Sequence, residues 1–289
     1  MGDGFSLAAQ YNAPPMRIPF SKMQGCGNDF VVIDGRRGPA LSGPDLGKRL
    51  LDRRYGVGGD QLLILQPSER ADVRMDIFER DGRQSEMCGN GIRCLVRFLR
   101  EQDGSNVDQV SVETLGGKKV VWYESDERIR VDMGPPIFEP KEIPVRSETA
   151  IWNFPMNVAG HDLRLFTVSM GNPHTVIFVE KEADLNWVTK IGPSLEVHEL
   201  FPNRTNVEFV YVRDHNALDV RVWERAAGET AACGTGASAA GVVAIKENRV
   251  KSPTTISFRG GNVEIAWQRG EHVFLTGPAT EVFTGEVEV

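Results

Sequence analysis

The sequence has few cysteines, no excess of positive charge and no long apolar run, and each shortage excludes a class of protein. Four cysteines in 289 residues are too few for a disulfide scaffold, and their spacing fits no zinc ribbon or redox pair. A net charge of −7 argues against nucleic acid as a partner. No apolar stretch approaches the roughly 20 residues of a membrane span. We therefore expect a cytoplasmic protein that binds neither nucleic acid nor membrane.

The first fifteen residues contain no Lys or Arg and no apolar signal core. A secretory signal or a transit peptide would carry basic residues, so we interpret residues 1–15 as a flexible N-terminal tail. The globular part is expected to begin at Met16. Its composition, 40% hydrophobic and 25% charged, is typical of a folded domain, and the length allows one large or two medium domains.

A cysteine at a glycine-flanked turn begins the most informative stretch, residues 87–99. After Cys88, apolar residues recur at helical spacing at Ile92, Leu95, Val96 and Leu99. The pattern predicts an amphipathic helix with the cysteine close to its N-terminus. The helix dipole favours negative charge there, so we expect a lowered pKa for the thiol.

A second copy of this pattern follows 145 residues later. Cys233 again precedes a glycine, a polar residue, another glycine and a predicted helix over residues 235–246. Two further pairs share nearly the same offset, an asparagine after glycine and an amide before a strand: Asn28 with Asn172, and Gln61 with Asn206. We infer that the chain consists of two similar halves, whose two thiols would face a single cleft.

Strand patterns dominate both halves and predict an α+β fold. The strands are predicted at residues 17–22, 29–34, 62–65, 73–78, 107–114, 118–124, 128–133, 151–158, 163–169, 175–179, 207–212, 219–224, 254–258, 262–267 and 272–276. Another helix is predicted at residues 44–55. The Gly134-Pro135-Pro136 stretch is the expected boundary, and residues 280–289 are expected to return to the first half as an edge strand. The first domain would thus comprise residues 16–133 plus 279–289, and the second residues 134–278.

Two facing thiols suit inversion at a carbon that bears a removable proton. One thiolate takes the proton from one face while the opposing thiol donates from the other. Two helix N-termini aimed at a substrate carboxylate would stabilise the charge that develops, without a metal or another cofactor. A lone cysteine before a glycine turn is usually a buried small residue, and it is the matched pair that favours catalysis. Cys94 is expected to pack in the core, and the role of Cys26 is left open.

Other polar residues lie close to these motifs in the sequence. Glu224 and Arg225 end a strand ahead of the second cysteine; they are either surface charges or groups that tune a thiol and pair with a substrate carboxylate. His174 is either a satisfied buried histidine or a group that shifts the pKa of a thiol. A phosphate-binding role for the glycine-rich loop at residues 56–61 is disfavoured, because no Lys-Ser/Thr ending follows.

As a set, the motifs resemble those of the diaminopimelate epimerase family, in the right order over residues 17–245. The residues that carry the resemblance are Gly27-Asn28-Asp29-Phe30, Gly59-Asp60-Gln61, residues 86–94, Gly171-Asn172-Pro173-His174, Arg204-Thr205-Asn206 and residues 224–236. The resemblance implies two pseudo-symmetric domains, each a mixed, mostly antiparallel β-sheet wrapped around a central α-helix. It also implies a cytoplasmic homodimer that takes an amino-acid substrate and uses no cofactor or metal.

The same resemblance implies a role for each matching position. Cys88 and Cys233 would be the catalytic bases, with His174 and Glu224 modulating their pKa values. The substrate would be held by Asn28, Gln61, Gly89, Asn90, Asn172, Asn206, Glu224, Arg225, Gly234 and Thr235. The implied reaction converts LL-2,6-diaminopimelate to meso-diaminopimelate in lysine biosynthesis.

One position departs from the family pattern in a way that concerns the substrate. Glu79 stands where an asparagine usually contacts the far end of the substrate. A carboxylate there would repel a distal carboxylate and attract a distal ammonium. Two alternatives therefore stay open: a related racemase or epimerase of another amino acid, and an inactive homologue that only binds a ligand.

Overall fold

The computed structural model describes residues 16–37, 41–104 and 107–288, so the expected tail at residues 1–15 lies outside the described part. The first half contains eight strands and two helices. They run in the order β1 (Arg17–Gly25), β2 (Asn28–Asp34), α1 (Gly43–Leu50), β3 (Gln61–Gln66), β4 (Val73–Glu79), β5 (Gln84–Ser85), α2 (Gly89–Asp103), β6 (Gln109–Thr114), β7 (Gly117–Ser125) and β8 (Arg128–Gly134).

The second half repeats this order after an added strand. Its elements are β9 (Phe154–Val158), β10 (His161–Ser169), β11 (Pro173–Val179), a 3-10 helix (Glu182–Asn186), α3 (Trp187–Glu196), β12 (Asn206–Asp214), β13 (Ala217–Glu224), β14 (Gly228–Glu229), α4 (Gly234–Lys246), β15 (Thr254–Phe258), β16 (Gly261–Ala266), β17 (Val273–Gly277) and β18 (Thr280–Glu288). Strands β10–β17 correspond one to one with β1–β8, α3 with α1, and α4 with α2. The duplication inferred from the spacing is present in the fold.

All the strands belong to one continuous, mostly antiparallel sheet. The order of neighbouring strands in the sheet is β18-β1-β2-β3-β4-β6-β7-β8-β17-β16-β15-β13-β12-β11-β10-β9, with β5 beside β4 and β14 beside β13. The parallel pairs repeat too: β2–β3 matches β11–β12, and β4–β6 matches β13–β15. We call β1–β8, β18, α1 and α2 the first lobe, and β9–β17, α3 and α4 the second. The β8–β17 pair joins the lobes, while the exact domain boundaries stay predictions.

Each lobe wraps its sheet around one central helix, as the resemblance implied. Helix α2 packs against β1, β2, β3, β7 and β8, and α4 packs against β10–β13 and β15–β17. On α2, Ile92 and Leu95 are fully buried, and each contributes about 1.5–3 kcal/mol. Helix α4 is apolar on nearly every side, which is typical of a helix enclosed by sheet. Helix α1 packs on the outer face of the sheet in the first lobe, and α3 packs on the outer face in the second lobe.

Several element bounds differ from the predictions. Helix α3 was not predicted at all, since Gly192 and Pro193 interrupt its pattern, although Val188, Ile191 and Leu195 lie at helical spacing and are buried. Helix α1 ends at Leu50, earlier than predicted. Strand β9 begins at 154 rather than 151, and β6 at 109 rather than 107. The returning strand is confirmed: β18 pairs antiparallel with β1 from residue 280 to 288.

Candidate active site

Two cysteines occupy equivalent positions at the start of the two central helices. Cys88 is the N-cap of α2 with φ −135° and ψ 115°, and Cys233 is the N-cap of α4 with φ −128° and ψ 119°. The Cys88 sulfur accepts a hydrogen bond from the Gly91 N–H at 3.4 Å. The Cys233 sulfur lies 3.5 Å from the Thr235 hydroxyl. Each thiol therefore sits where unpaired helix N–H groups are concentrated.

The two helices meet at these N-termini. A Cβ added to Gly234 would lie 3.1 Å from the Cα of Gly89, and a Cβ added to Gly89 would lie 3.4 Å from the Cα of Gly234. Only glycine allows so close an approach of two backbones. The charge of one carboxyl, Glu224, raises the pKa of both thiols. The structure thus brings Cys88 and Cys233 into one site between the lobes.

Burial controls the pKa values of both thiols. It raises the pKa of Cys88 to about 12, against the opposing effect of the Gly91 and Asn90 backbone N–H groups. It also raises the pKa of Cys233 well above its ordinary value, with Glu224 and Glu208 adding to the effect. The lowered pKa expected from the helix dipole is wrong for this structure, because desolvation of the thiolate outweighs the dipole. Both cysteines are free thiols at rest.

The first-lobe amides surround Cys88. The Cys88 thiol donates to Asn28 Oδ1 at 3.5 Å, and Asn28 Nδ2 donates to Asp60 Oδ2 at 3.0 Å. The Asn90 side chain crosses between lobes, donating to Asn28 Oδ1 and to the Ala232 carbonyl, both at 3.4 Å. A buried guanidinium fixes Asn90, since Arg93 Nη2 donates to Asn90 Oδ1 at 3.0 Å. Asn28 and Asn90 are therefore held in place beside the thiol.

Glu79 and Gln61 form a second polar group on the paired strands β3 and β4. Gln61 Nε2 donates to Glu79 Oε1 at 2.7 Å, and the Ser85 hydroxyl donates to the same oxygen at 2.5 Å. Gln61 Oε1 is buried without a partner within the described part of the chain. Burial is the main cause of the raised pKa of Glu224, and the charge of Glu79 adds to it, so the two carboxyls lie within electrostatic reach of each other. This group offers acceptors, which suit an ammonium.

In the second lobe, Glu224 lies beside the second thiol. It accepts a hydrogen bond from the Thr230 hydroxyl, and its charge raises the pKa of the Cys233 thiol. Burial raises the pKa of Glu224, so a proton is more easily held there than on an exposed carboxyl. Its place next to Cys233 fits the expected influence on the thiol.

The backbone of Arg225 helps to hold the side chain of Asn206 in place. The Arg225 backbone N–H donates to Asn206 Oδ1 at 2.8 Å, and Asn206 Nδ2 donates to the Pro173 carbonyl at 3.0 Å. The Arg225 guanidinium donates to the Asn203 carbonyl at 3.4 Å, on the exposed side of the loop. Its fork with a substrate carboxylate stays a prediction.

His174 is fully buried between two oxygen atoms. Its Nδ1 lies 2.6 Å from Glu208 Oε1, and its Nε2 lies 2.9 Å from Asn172 Oδ1. Asn172 Nδ2 donates to the Thr235 hydroxyl at 3.4 Å. The structure thus shows the satisfied buried histidine, while an effect of His174 on the pKa of a thiol stays a prediction.

Five side chains that hold this site were missed in the sequence: Asp60, Ser85, Arg93, Glu208 and Thr230. The clearest signal was Glu208, a charged residue among the apolar residues of the segment Val207–Val210 of β12. A strand that is buried on both faces is usually apolar throughout, so a charge in the middle of one indicates a specific role. Asp60 directly precedes the predicted Gln61.

Cys94 is fully buried in the core as expected, and Cys26 is buried at the β1–β2 turn, where its thiol donates to the Asn262 carbonyl at 3.6 Å.

Several curated proteins with similar sequences are diaminopimelate epimerases. The family profile of diaminopimelate epimerase matches residues 20–139 and 166–282. Diaminopimelate epimerase of Carboxydothermus hydrogenoformans is 46% identical over 272 residues, covering 93% of this chain and 99% of the relative. That of Acetivibrio thermocellus is 42% identical over 276 residues, covering 93% and 98%. The chain belongs to the diaminopimelate epimerase family. The resemblance seen in its motifs is confirmed.

Solved structures of more distant proteins share the fold of this family member. A PhzF-family phenazine biosynthesis protein from Bacillus anthracis aligns with a TM-score of 0.67 at 16% identity, covering 95% of this chain and all of that one. A hydroxyproline epimerase from Agrobacterium vitis, solved with trans-4-hydroxy-L-proline, aligns at 0.65 and 15% identity, covering 94% and 93%. At these identities the likeness shows the two-lobed α+β fold and nothing finer.

Two searches of the described ranges concern other kinds of site. No helix there is both long enough and apolar enough to cross a bilayer. Within the same ranges, His, Cys, Asp and Glu side chains form no group of three or more that could hold a metal ion.

Proposed function

We propose that this protein epimerises LL-2,6-diaminopimelate to meso-diaminopimelate by a two-base mechanism, as a step of lysine biosynthesis. Family membership supports an isomerase of this class. The observation that carries the mechanism is the meeting of two cysteine N-caps, on helices whose first glycines touch. Few other arrangements would place two similar acid/base groups on opposite sides of one small carbon centre.

In the proposed reaction, one sulfur removes the α-proton and the other supplies a proton to the opposite face. A new S–H bond forms on the first cysteine as the S–H bond of the second breaks, so no other reactant is consumed. The α-carboxylate would lie between the backbone N–H groups of α2 and α4, where two positive helix ends favour the charge that develops. We expect no cofactor or metal to take part.

Glu224 offers a route for creating the first thiolate. In the free protein both thiols are protonated at neutral pH, because burial raises their pKa values. The charge of Glu224 raises the pKa of the Cys233 thiol, and burial raises the pKa of Glu224 itself. We propose that Glu224 takes the Cys233 proton when substrate enters, and that His174 and the amides of Asn28, Asn172 and Asn206 complete the substrate site.

Deuterium exchange tests the proposed function. LL-diaminopimelate incubated in deuterated water with the protein should gain deuterium at one α-carbon and yield the meso isomer. Cys88→Ala and Cys233→Ala should each abolish net epimerisation, with unchanged circular dichroism. Full activity in either variant would contradict the two-base assignment, and binding without exchange by the wild type would favour the inactive homologue.

Glu79 supports the second candidate, an epimerase or racemase of another amino acid. Its carboxylate is fixed by Gln61 and Ser85 inside the site, where it would disfavour a distal carboxylate. A panel of L-amino acids, assayed by chiral chromatography, separates the two candidates. Turnover of diaminopimelate alone would remove the second, whereas faster turnover of a substrate with a distal ammonium and no distal carboxylate would support it.

The homodimer implied by the family stays a prediction. Light scattering during size-exclusion chromatography should give twice the chain mass of 32.0 kDa. The cytoplasmic location likewise stays a prediction, to be checked by fractionation of the source cells.

A further inference from the structure

Helix α2 carries a fully buried guanidinium, on Arg93, shortly after the first thiol. Among the described residues it pairs with no carboxylate. Its Nε donates to the Pro278 carbonyl at 3.1 Å, its Nη1 to the Gly89 carbonyl at 2.9 Å and its Nη2 to Asn90 Oδ1 at 3.0 Å. A guanidinium keeps its charge in a protein, and burying a charge without a partner of opposite sign is costly. We therefore looked for a specific role of this side chain.

The second lobe has a small residue at the equivalent position. Ser238 follows Arg93 by 145 residues, the offset of the duplication, and is fully buried on α4. Its hydroxyl donates to the Gly234 carbonyl at 3.0 Å, just as Arg93 Nη1 donates to the Gly89 carbonyl. This contact at the start of the helix is common to both lobes, and it does not need a guanidinium. What the arginine adds is the reach to its other two oxygen acceptors.

Asn90 connects Arg93 to the second lobe, and the direction of its amide follows from groups with a single hydrogen-bonding role. A guanidinium can only donate, so the group that faces it must be the amide oxygen of Asn90. The amide nitrogen therefore points the other way, to the Ala232 carbonyl and to Asn28 Oδ1, both at 3.4 Å. These two oxygens can only accept. Ala232 directly precedes Cys233, so the bond crosses between the lobes beside the second thiol.

We propose that Arg93 is a positioning residue that turns the donating end of the Asn90 amide toward the Ala232 carbonyl and thereby holds the segment before the second thiol against the first lobe. Without the fork, the Asn90 oxygen loses its donor and the amide is free to rotate. Rotation brings two oxygens face to face at Ala232, and the bond between the lobes is lost. The bond from Arg93 to Pro278 supports the same arrangement, because Pro278 lies where the chain returns from β17 to the first lobe.

The side-chain amide of Asn90 tests the anchoring without any need for activity. Its nitrogen-15 signals are assigned by their absence in Asn90→Ala, and in the wild type its protons should exchange slowly with solvent. Arg93→Lys keeps the charge but loses the planar fork. It should speed this exchange about fivefold or more, the effect of losing one net hydrogen bond. Fast exchange in the wild type, or unchanged exchange in Arg93→Lys, would overturn the proposal.

Arg97→Lys is the matched control for this experiment. Arg97 lies one turn further along α2 and also donates to the segment between β17 and β18, at the Ala279 carbonyl, over 2.6 Å. The exchange of the Asn90 amide should therefore stay at its wild-type rate in Arg97→Lys. Equal acceleration in both variants would mean a general loosening of the helix and would contradict a specific role of Arg93.

Kinetics tests whether Arg93 acts through Asn90, and this part rests on the proposed epimerase activity. Arg93→Lys and Asn90→Ala should each lower kcat about tenfold, with less change in KM for Arg93→Lys, because the thiols are displaced while the substrate contacts remain. The double variant should be no slower than Asn90→Ala alone, since the effects of residues that act as one unit do not multiply. Multiplication of the two losses would mean that Arg93 acts independently of Asn90, and would overturn the proposal.

Asn90→Ala also serves if circular dichroism shows that Arg93→Lys does not fold. Wild-type kcat in Asn90→Ala would overturn the proposal, because Arg93 would then have no group to act through. A wild type without epimerisation of any amino acid would contradict the proposed function instead. The exchange of the Asn90 amide would still decide whether Arg93 anchors it.

Discussion

Gly234 approaches Gly89 so closely that a single added methyl group on Gly234 would lie 3.1 Å from the Gly89 Cα. The contact joins the first turns of two helices that the chain supplies 145 residues apart. It fixes the separation of the two N-terminal N–H clusters and of the thiols that precede them. The spacing between the acid/base groups thus depends on the absence of a side chain at Gly234.

Gly234→Ala should therefore lower kcat by about threefold to tenfold while the fold is retained, because the added Cβ would press on the Gly89 backbone and one helix must shift by a few tenths of an ångström. A misplacement of about 1 Å can cost on the order of 100-fold in rate. Gly89→Ala is the graded comparison, since its Cβ would lie at an ordinary 3.4 Å. Steady-state rates and circular dichroism of both variants check this. Equal rates for Gly234→Ala and wild type would contradict the proposed spacing.

The pH dependence of alkylation should reveal the raised pKa of Cys88. A pKa of about 12 leaves the thiol almost fully protonated at neutral pH, and the thiolate fraction grows about tenfold per pH unit below that value. In a Cys233→Ser background, the rate of Cys88 labelling by iodoacetamide should rise steadily from pH 7 to pH 10. Peptide mass spectrometry measures it, and a rate that levels off before pH 10 would contradict the raised pKa.

The sequence predicted those parts of the fold and site that depend on local spacing. Glycine turns and helical periodicity located Cys88 and Cys233 at helix starts, and the constant offset revealed the duplication. Helix α3 was not predicted because Gly192 and Pro193 have low helix propensity. Its packing on the sheet overrides that propensity. The packing is so close that a Cβ on Gly192 would lie 2.7 Å from the Trp223 side chain. That contact joins distant segments, so local pattern could not reveal it.

The pKa values of the thiols could not be predicted for a related reason. The start of a helix is a local feature that the sequence predicts, and the backbone N–H groups of Gly91 and Asn90 there do lower the pKa of Cys88. Burial depends on how the two lobes meet, and in this structure it has the larger effect. Glu208 shows the same limit: the sequence shows a charge in an apolar strand, but its partner His174 lies 34 residues away.

The turn around Gly260 should be sensitive to any side chain. A Cβ there would lie 1.9 Å from the Cys26 carbonyl oxygen, across the contact between the β1–β2 turn and the β15–β16 turn. Gly260→Ala should destabilise the protein by about 1–3 kcal/mol, the usual cost of overpacking. Urea unfolding of the variant and the wild type measures this difference. An unchanged midpoint for Gly260→Ala would mean that the turns move apart freely.

Mild oxidation should join the two thiols and inactivate the protein. Cys88 and Cys233 are free, and the residues that follow them are in contact, so a small movement of the N-caps could bring the sulfurs to bonding distance. Diamide should abolish activity in the absence of substrate, and dithiothreitol should restore it. Tryptic mapping should then show one bridge between the Cys88 and Cys233 peptides, while buried Cys26 and Cys94 stay reduced. Cys233→Ser cannot form the bridge, and its Cys88 should remain free under the same treatment. Four free thiols in a wild type that has lost no activity would show that the sulfurs are too far apart to share one substrate carbon.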